Sequence, residues 1–299
     1  MDIPILKLLE QMFLPHSFMR TVRLITGATL VLFASVTHCQ KSDTVTSTTA
    51  PTPARTPEAR DQPVSATVAG RITWDGPELV PQRIRTYKDR VFCGVDGFLE
   101  LPALTVDPKT NGIAQVLVTV TTVSQQIAFP PETLLSVWPI HFQNCAVSTR
   151  VLTMCAGSRL EVGSQDFVAH AVEIFDPFNK LVFERTLSVE GSRATFRPIK
   201  PGLYTVRCKE HTWEVAYAWA AQKPFAVLTD ANGNFLISKL PLGSYMLNAW
   251  HPPVTMLPEE ENGRIVRYKP GLPIAKSQPF MVSWSGTISL NIKLQPPGI

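Results

Sequence analysis

Short runs of β-branched and aromatic residues, separated by Gly, Pro, Ser and Asp, recur from about residue 68 to the end of the chain. The run at residues 113–123 is rich in Val and Thr and is typical of a buried strand. Shorter runs follow at residues 150–154, 159–162, 170–175, 181–187 and 194–196. Residues 215–222 could form one or two helical turns, but no segment has a sustained helical period with caps. The pattern therefore predicts an all-β fold.

The N-terminus has the composition of an export signal. Arg20 and Arg23 precede an apolar run at residues 24–35, and no further charge appears until Lys41. The run is short for a membrane span and suits the core of a signal peptide. Cys39 lies where a lipoprotein carries its acylated cysteine, so a membrane tether through the N-terminus is an alternative to cleavage. We expect a periplasmic or cell-surface protein with a leader at residues 1–39.

The next segment, at residues 40–63, is crowded with Ser, Thr, Pro and Ala and is almost free of large apolar residues. It cannot bury enough apolar surface to fold, so we predict a disordered tether. The rest of the chain is long enough for one or two hydrophobic cores.

Charge and motifs exclude several classes of function. The chain has 28 Lys and Arg residues against 24 Asp and Glu residues, which gives a formal net charge of +4. It has no basic run and no interleaving of basic and aromatic residues of the kind that binds nucleic acid. It also lacks a nucleophile elbow, a phosphate-binding loop, a dinucleotide fingerprint and an H-E-x-x-H motif. We therefore expect no nucleic-acid partner and no enzymatic activity.

One set of residues has the spacing of a metal site. Cys208, His211 and Glu214 follow a predicted strand at residues 202–207 at intervals of three, and His170 lies on an earlier predicted strand. A thiolate and two imidazoles, brought together from a strand end and a tight loop, are what a mononuclear copper centre needs. We predict His170, Cys208, His211 and Glu214 as metal ligands and one type 1-like copper ion as the cofactor.

Glu214 is the unusual member of this set, because a weak axial methionine is expected at its position. As a ligand, its hard anionic carboxylate would favour Cu(II) over Cu(I), lower the reduction potential and admit zinc or another divalent ion. Without coordination it would leave a three-coordinate site. A third alternative is a site that binds no metal.

The segment from about Trp138 to Trp250 resembles the bacterial periplasmic cupredoxin-like proteins that also carry a carboxypeptidase-regulatory-like (transthyretin-like) β-domain, some of which are labelled methylamine-utilisation proteins. The residues that carry the resemblance are Asn144 and Cys145, Asp166 to His170, Phe178 and Asn179, Pro201 and Gly202, Cys208 with His211 and Trp213, residues 229–235, residues 241–245, and Trp250 with His251. The chain departs from the family at Ala171, Glu173 and Glu214, where Asn, a second His and Met are common. The resemblance implies a cupredoxin Greek-key barrel.

The resemblance also implies a transthyretin-like β-sandwich. Residues 229–250 read as two strands with tight turns at Asn232-Gly233 and Gly243, similar to the second half of such a sandwich. We predict that the sandwich is split into halves at residues 64–125 and 225–299, with a cupredoxin-like domain at residues 126–224 inserted between them. Domains that follow one another in series are the alternative. Interruption is favoured because each flanking half has too few strands to close alone.

The cysteines offer a competing explanation of Cys208, because cysteines of exported proteins tend to pair. Apart from Cys39, the chain has Cys93, Cys145, Cys155 and Cys208, which allow three full pairings. The family resemblance implies a Cys93–Cys145 disulfide, which leaves Cys208 as a thiolate. A Cys155–Cys208 disulfide would instead abolish the copper site, and the sequence does not choose between them.

The leading hypothesis is an exported copper protein that exchanges single electrons with a redox partner protein at the cell envelope. A first alternative is a metal-free β-sandwich that recognises a carbohydrate or a protein. A second alternative is copper storage or delivery, which the same ligands permit.

Overall fold

The computed structural model describes residues 65–122, 136–221 and 225–297. These residues form strands, turns and loops without any helix, so the predicted all-β fold is confirmed. Accordingly, the described part of the chain has no helix of the length and hydrophobicity that a membrane span requires. The predicted leader at residues 1–39 and the predicted tether at residues 40–63 lie outside the described residues.

The strands of the described residues are numbered in chain order. They are β1 (Ser65–Trp74), β2 (Gln82–Arg85), β3 (Phe98–Leu101), β4 (Leu117–Thr122), β5 (Val137–Gln143), β6 (Ala146–Val147), β7 (Val151–Cys155), β8 (Arg159–Ser164), β9 (His170–Phe175), β10 (Leu181–Leu187), β11 (Arg193–Phe196), β12 (Gly202–Cys208), β13 (Val215–Ala221), β14 (Ala226–Leu228), β15 (Asn234–Pro241), β16 (Gly243–His251), β17 (Met256–Glu261), β18 (Arg264–Pro270), β19 (Ile274–Val282), β20 (Thr287–Ser289) and β21 (Ile292–Leu294).

Strands from the two ends of the described chain pair in two sheets, which we call the outer sandwich. In the first sheet, β1 pairs antiparallel with β15 and parallel with β20 and β21. The second sheet has the order β14-β4-β16-β19 and is antiparallel throughout. Side chains from both sheets form one buried apolar cluster, which includes Val68, Ile72, Val118, Phe235 and Leu247. Burial of this cluster is the main stabilising contribution to the outer sandwich.

Two glycines allow close backbone contacts in the outer sandwich. A Cβ atom on Gly70 would lie 1.7 Å from the Leu290 carbonyl oxygen, so β1 reaches that loop only because the side chain is absent. Gly233 has a φ of +79° in the turn that joins β14 to β15, at the predicted Asn232-Gly233 turn. The Asp230 carboxylate accepts hydrogen bonds from the backbone N–H groups of Asn232 and Asn234 and so stabilises this turn.

Strands β5 to β13 pair only among themselves in the described chain and form what we call the inner sandwich. One of its sheets has the order β10-β9-β12-β13-β7, and the other has the order β11-β8-β5-β6. Its buried cluster includes Phe142, Leu160, Ile174, Tyr204 and Ala218. The inner sandwich therefore has a hydrophobic core separate from that of the outer sandwich.

The expectation of helical turns at residues 215–222 is wrong for residues 215–221, and residue 222 lies outside the described residues. Residues Val215–Ala221 form β13, which pairs antiparallel with β12 and parallel with β7. Ala216, Ala218 and Ala220 are fully buried on this strand and face the core of the inner sandwich. Pairing on both edges outweighs the helical preference of alanine, because propensity is a weak determinant compared with tertiary contacts.

The pairing pattern bears on the predicted domain order. β1 and β4 precede the inner sandwich in the chain, yet they pair with β15 and β16, which follow it. Strands on the two sides of the inner sandwich in the chain thus pair with each other, while the interrupted and the serial domain orders stay predictions. The predicted boundaries near residues 125 and 225 fall in or beside segments outside the described residues, and they stay predictions.

A third apolar cluster joins the inner sandwich to the segment between β2 and β3 and to the hairpin of β17 and β18. It includes Ile84, Cys93, Trp213, Met256 and Tyr268. Trp213 lies in the loop between β12 and β13, so this cluster packs directly against the loop that carries His211 and Glu214.

Candidate metal centre

Two neighbouring strands bring the predicted ligands together. His170 is the first residue of β9, and Cys208 is the last residue of β12. The two strands are antiparallel, with Cys208 opposite Val172, so both residues lie at the same end of the sheet. The loop after Cys208 turns back at once, because the Cys208 N–H donates to the Glu214 carbonyl at 3.1 Å and the Glu214 N–H donates to the His211 carbonyl at 2.9 Å.

His170, Cys208, His211 and Glu214, here called the donor cluster, each offer one ligand atom, and these atoms all lie within 4.8 Å of one another. All four residues are buried, with at most 1% of their surface exposed. His170 Nδ1 lies 2.9 Å from Glu214 Oε2, and His211 Nδ1 lies 3.6 Å from Cys208 Sγ and 3.7 Å from Glu214 Oε2. The Cys208 sulfur also accepts a hydrogen bond from the His211 backbone N–H at 3.3 Å. The four predicted residues therefore face one shared point.

Each imidazole is held from its outer side by an aspartate. His170 Nε2 donates to Asp166 Oδ2 at 3.1 Å, and His211 Nε2 donates to Asp89 Oδ2 at 2.9 Å. With Nε2 engaged by a carboxylate, Nδ1 of both rings faces the donor cluster. Sequence reasoning missed both aspartates as functional residues. Asp166 lies within the motif that carries the family resemblance, whereas Asp89 lies far upstream in a segment without any metal-site pattern.

The charges of the donor cluster shift the pKa values of its members. Burial lowers the pKa of His170, but hydrogen bonds to Asp166, Cys208 and Glu214 outweigh burial and raise it to about 11. Burial also lowers the pKa of His211, and contacts with Cys208 and Glu214 again raise it above its ordinary value. Burial raises the pKa of the Cys208 thiol, but hydrogen bonds from the two histidines lower it overall. The two imidazoles thus favour ionisation of the Cys208 thiol relative to a buried cysteine without such partners.

A metal ion fits the donor set that the structure presents. Glu214 Oε1 is buried and has no hydrogen-bond partner among the described residues. A buried carboxylate oxygen without a partner is costly, and a cation in the donor cluster would satisfy it. One thiolate, two imidazoles and one carboxylate suit copper, and the same set is compatible with zinc.

The cysteines leave Cys208 available as a ligand. Cys93 and Cys145 form a disulfide with their Cα atoms 5.3 Å apart. Cys208 is a buried free thiol, so the alternative Cys155–Cys208 disulfide is not formed.

Three further residues of the family-like motifs, Trp213, Glu173 and His251, are not part of the donor cluster. The Trp213 ring is buried with its centroid 5.3 Å from that of His211, and its indole N–H donates to the Cys145 carbonyl at 2.9 Å. Glu173, where the related family often has a histidine, instead forms an ion pair with Arg207 at 2.9 Å. His251 is buried elsewhere with Nδ1 2.8 Å from the Pro252 carbonyl oxygen, and burial lowers its pKa to about 4. Trp213 therefore packs against the donor cluster, and His251 lies outside it.

We predict that metal binding releases protons and strengthens as the pH rises above 7. The pKa of His170 in the folded protein is about 11, so its proton competes with a metal for Nδ1 at every pH below that value. The apparent affinity is expected to rise by about tenfold per pH unit for each proton displaced. Calorimetric titration with Cu(II) in buffers of different ionisation enthalpy measures the number of protons released.

The variant His141→Gln is a matched control for this measurement, because His141 belongs to the inner sandwich but not to the donor cluster. It is expected to release as many protons as the unmodified chain. Proton release that is absent at pH 7 in the unmodified chain would contradict the raised histidine pKa values.

The chain is similar to several solved structures. No protein-family model matches the chain, and a search of curated proteins finds no match. Among solved structures, the chain is similar to a purple cupredoxin from Nitrosopumilus maritimus, with 20% identity over 28% of this chain and 99% of that chain and a TM-score of 0.25. Amicyanin from Paracoccus versutus has 12% identity over 34% of this chain and 98% of that chain, with a TM-score of 0.27.

The chain is also similar to the solved structure of the Cu-containing nitrite reductase from Thermus scotoductus SA-01. Its identity is 15% over 35% of this chain and 25% of that chain, with a TM-score of 0.25. The cupredoxin and the amicyanin are thus matched over nearly their whole length, and the reductase over a quarter of its length.

Proposed function

We propose that this protein is an exported mononuclear copper protein that transfers single electrons. The observation that carries the proposal is the donor cluster itself, in which one thiol, two imidazoles and one carboxylate are buried with their ligand atoms within 4.8 Å. His170, Cys208 and His211 would hold the metal, and Glu214 would supply a carboxylate oxygen as a fourth ligand. A copper ion bound there supplies one-electron redox chemistry.

The surroundings of the donor cluster suit electron transfer better than substrate turnover. All four donors are buried, so a substrate has no open ligand position to reach, whereas catalytic metal sites keep one open. The Phe142 ring stacks on His170 with the centroids 4.8 Å apart, and Trp213 flanks His211. These rings would shield a bound metal from water and would hold both imidazoles in place through a change of oxidation state.

Metal analysis and an optical spectrum of the full chain, purified from an oxidising compartment and loaded with Cu(II), test this proposal. One copper per chain, an intense visible thiolate band and a reversible one-electron couple are expected. Tight binding of zinc with no copper band would support a metal site but contradict the redox function. A chain that binds neither metal would overturn the proposal.

A metal-free recognition module is the second candidate, and one contact favours it. His170 Nδ1 lies 2.9 Å from Glu214 Oε2, so a protonated imidazole neutralises the buried carboxylate without a metal. In that case Cu(II) leaves the free energy of unfolding unchanged, whereas a copper site raises it with copper concentration.

Glu214→Met is predicted to raise the reduction potential of the copper-loaded chain. A thioether is a softer ligand than a carboxylate and binds Cu(II) less strongly relative to Cu(I). Each tenfold loss of preference for Cu(II) raises the potential by about 59 mV. Protein-film voltammetry measures the shift.

Glu210→Met is the matched control, because Glu210 lies in the same loop with its side chain 46% exposed and paired with Lys88. Its potential is expected to equal that of the unmodified chain. An equal potential in Glu214→Met as well would mean that Glu214 does not contact the metal.

Export and a redox partner at the cell envelope complete the proposal. The support for export is the apolar run at residues 24–35 behind Arg20 and Arg23. The outer sandwich, with its own core, would contact the partner or the envelope. Secretion of a reporter fused to residues 1–39 tests the export signal directly.

A further inference from the structure

A loop from outside the inner sandwich covers the donor cluster. We call residues 86–97, which lie between β2 and β3, the cap loop. Its ends are joined by the Thr86 N–H, which donates to the Gly97 carbonyl at 2.9 Å. Asp89 has a left-handed φ of 47°, and its carbonyl accepts the N–H groups of Phe92 and Cys93, each at 2.8 Å. This tight turn directs the Asp89 side chain toward His211, whose Nε2 lies 2.9 Å from Oδ2.

The cap loop is attached to the loop that carries His211 by further contacts. The Tyr87 hydroxyl donates to the Glu210 carbonyl at 3.0 Å and lies 2.8 Å from Thr212 Oγ1. The Tyr87 ring also packs edge-on against Trp213, with the centroids 5.2 Å apart. Tyr87 thus contacts the residues on both sides of His211, and these contacts keep the Asp89 carboxylate aligned with the His211 imidazole.

One disulfide connects the two aspartates that hold the histidines. Cys93 belongs to the cap loop, and its partner Cys145 lies in the turn between β5 and β6. The Cys145 N–H donates to Asp166 Oδ2 at 2.9 Å, and this same oxygen accepts from His170 Nε2. A continuous path therefore runs from Asp89 through the Cys93–Cys145 disulfide to Asp166.

We infer that Asp89 is a positioning residue of the metal centre, supplied by the cap loop and anchored by the Cys93–Cys145 disulfide. The inference rests on the proposed function. The Asp89 carboxylate keeps the His211 proton on Nε2, which leaves the Nδ1 lone pair directed at the donor cluster and makes it a stronger donor. Loss of such an outer partner of a metal-ligating histidine typically weakens metal binding by about 10–100-fold.

Two variants and one control test the inference in the full chain. Asp89→Ala removes the acceptor, and Asp89→Asn keeps an acceptor oxygen without the charge. Asp96→Asn is the control, because Asp96 lies on the same cap loop, is exposed and also has a left-handed φ, of 52°. Competition with a copper chelator is expected to show binding about 10–100-fold weaker in Asp89→Ala, an intermediate loss in Asp89→Asn and no change in Asp96→Asn.

A second readout needs no metal. In the metal-free chain, the His211 Nε2–H proton donates to Asp89 and is buried, so it should give a slowly exchanging NMR signal. This signal is expected to disappear in Asp89→Ala, whereas the Nε2–H signal of His170, held by Asp166, should persist as an internal control.

The outcomes separate this inference from the proposed function. Unchanged copper affinity in Asp89→Ala, or a His211 signal that persists there, overturns the role of Asp89. A wild-type chain that binds no copper overturns the proposed function alone. Loss of the His211 signal in Asp89→Ala then still supports the orientation of His211 by Asp89, and persistence of the signal contradicts it.

Discussion

Cys208→Ser is expected to abolish the intense visible band of the copper-loaded chain. The band requires a thiolate bound to copper, and a serine hydroxyl does not ionise to a comparable ligand near neutral pH. As a direct ligand in the proposed site, Cys208 should contribute more than an outer partner does, so its loss should weaken copper binding by more than roughly 10–100-fold. An optical titration with Cu(II), beside chelator competition, measures both effects.

The fold of the Cys208→Ser variant is expected to survive without metal. Cys208 is fully buried, and serine has nearly the same shape, so its hydroxyl can accept the His211 N–H that the sulfur accepts now. Burial of a more polar group should lower the free energy of unfolding by about 1–3 kcal/mol. A variant that keeps the visible band would show that the thiolate lies elsewhere. A free energy of unfolding that does not respond to copper in either chain would support the metal-free recognition module.

Removal of the Cys93–Cys145 disulfide is expected to lower the free energy of unfolding by about 4 kcal/mol. The two cysteines are 52 residues apart, and the constraint that a disulfide places on the unfolded chain grows with the length of the enclosed loop. The double variant Cys93→Ala/Cys145→Ala removes this constraint while the other cysteines are kept. Urea denaturation of the metal-free chain, followed by tryptophan fluorescence, measures the loss.

The metal-free Cys208→Ser variant serves as the comparison for the disulfide variant. Cys208→Ser changes a buried cysteine but breaks no disulfide. The additional loss of unfolding free energy in the double variant is therefore the effect of the cross-link. A loss below about 1 kcal/mol in the double variant would mean that noncovalent contacts of the cap loop hold the structure without the disulfide.

The residues of the site that lie close together along the chain are the ones that the sequence predicts most directly. Cys208, His211 and Glu214 lie at intervals of three in one short loop, so a single turn brings them together and their spacing is visible in the sequence. His170 is separated from them along the chain, but it begins β9, the strand that pairs with β12. Local patterns therefore suffice for Cys208, His211 and Glu214, whereas His170 joins them through the pairing of two strands.

Other features were beyond local patterns. Residues 215–222 have a composition compatible with helix, and only pairing with β12 and β7 makes Val215–Ala221 a strand. The Cys93–Cys145 pairing was implied by family resemblance, since spacing alone allowed three full pairings. Asp89 lies 122 residues before His211, and nothing in its own segment indicates a metal site.

The sequence by itself determined the all-β class, the Asn232-Gly233 turn and the grouping of Cys208, His211 and Glu214 in one loop region, because strand alternation, turn chemistry and residue spacing act over a few residues. Only the tertiary structure decided that Cys208 stays a free thiol, that β13 is a strand, and that Asp89 and Asp166 hold the two imidazoles. These features depend on which distant segments pack together. That packing depends on the burial of apolar surface by segments from the whole chain, so no local sequence pattern predicts it.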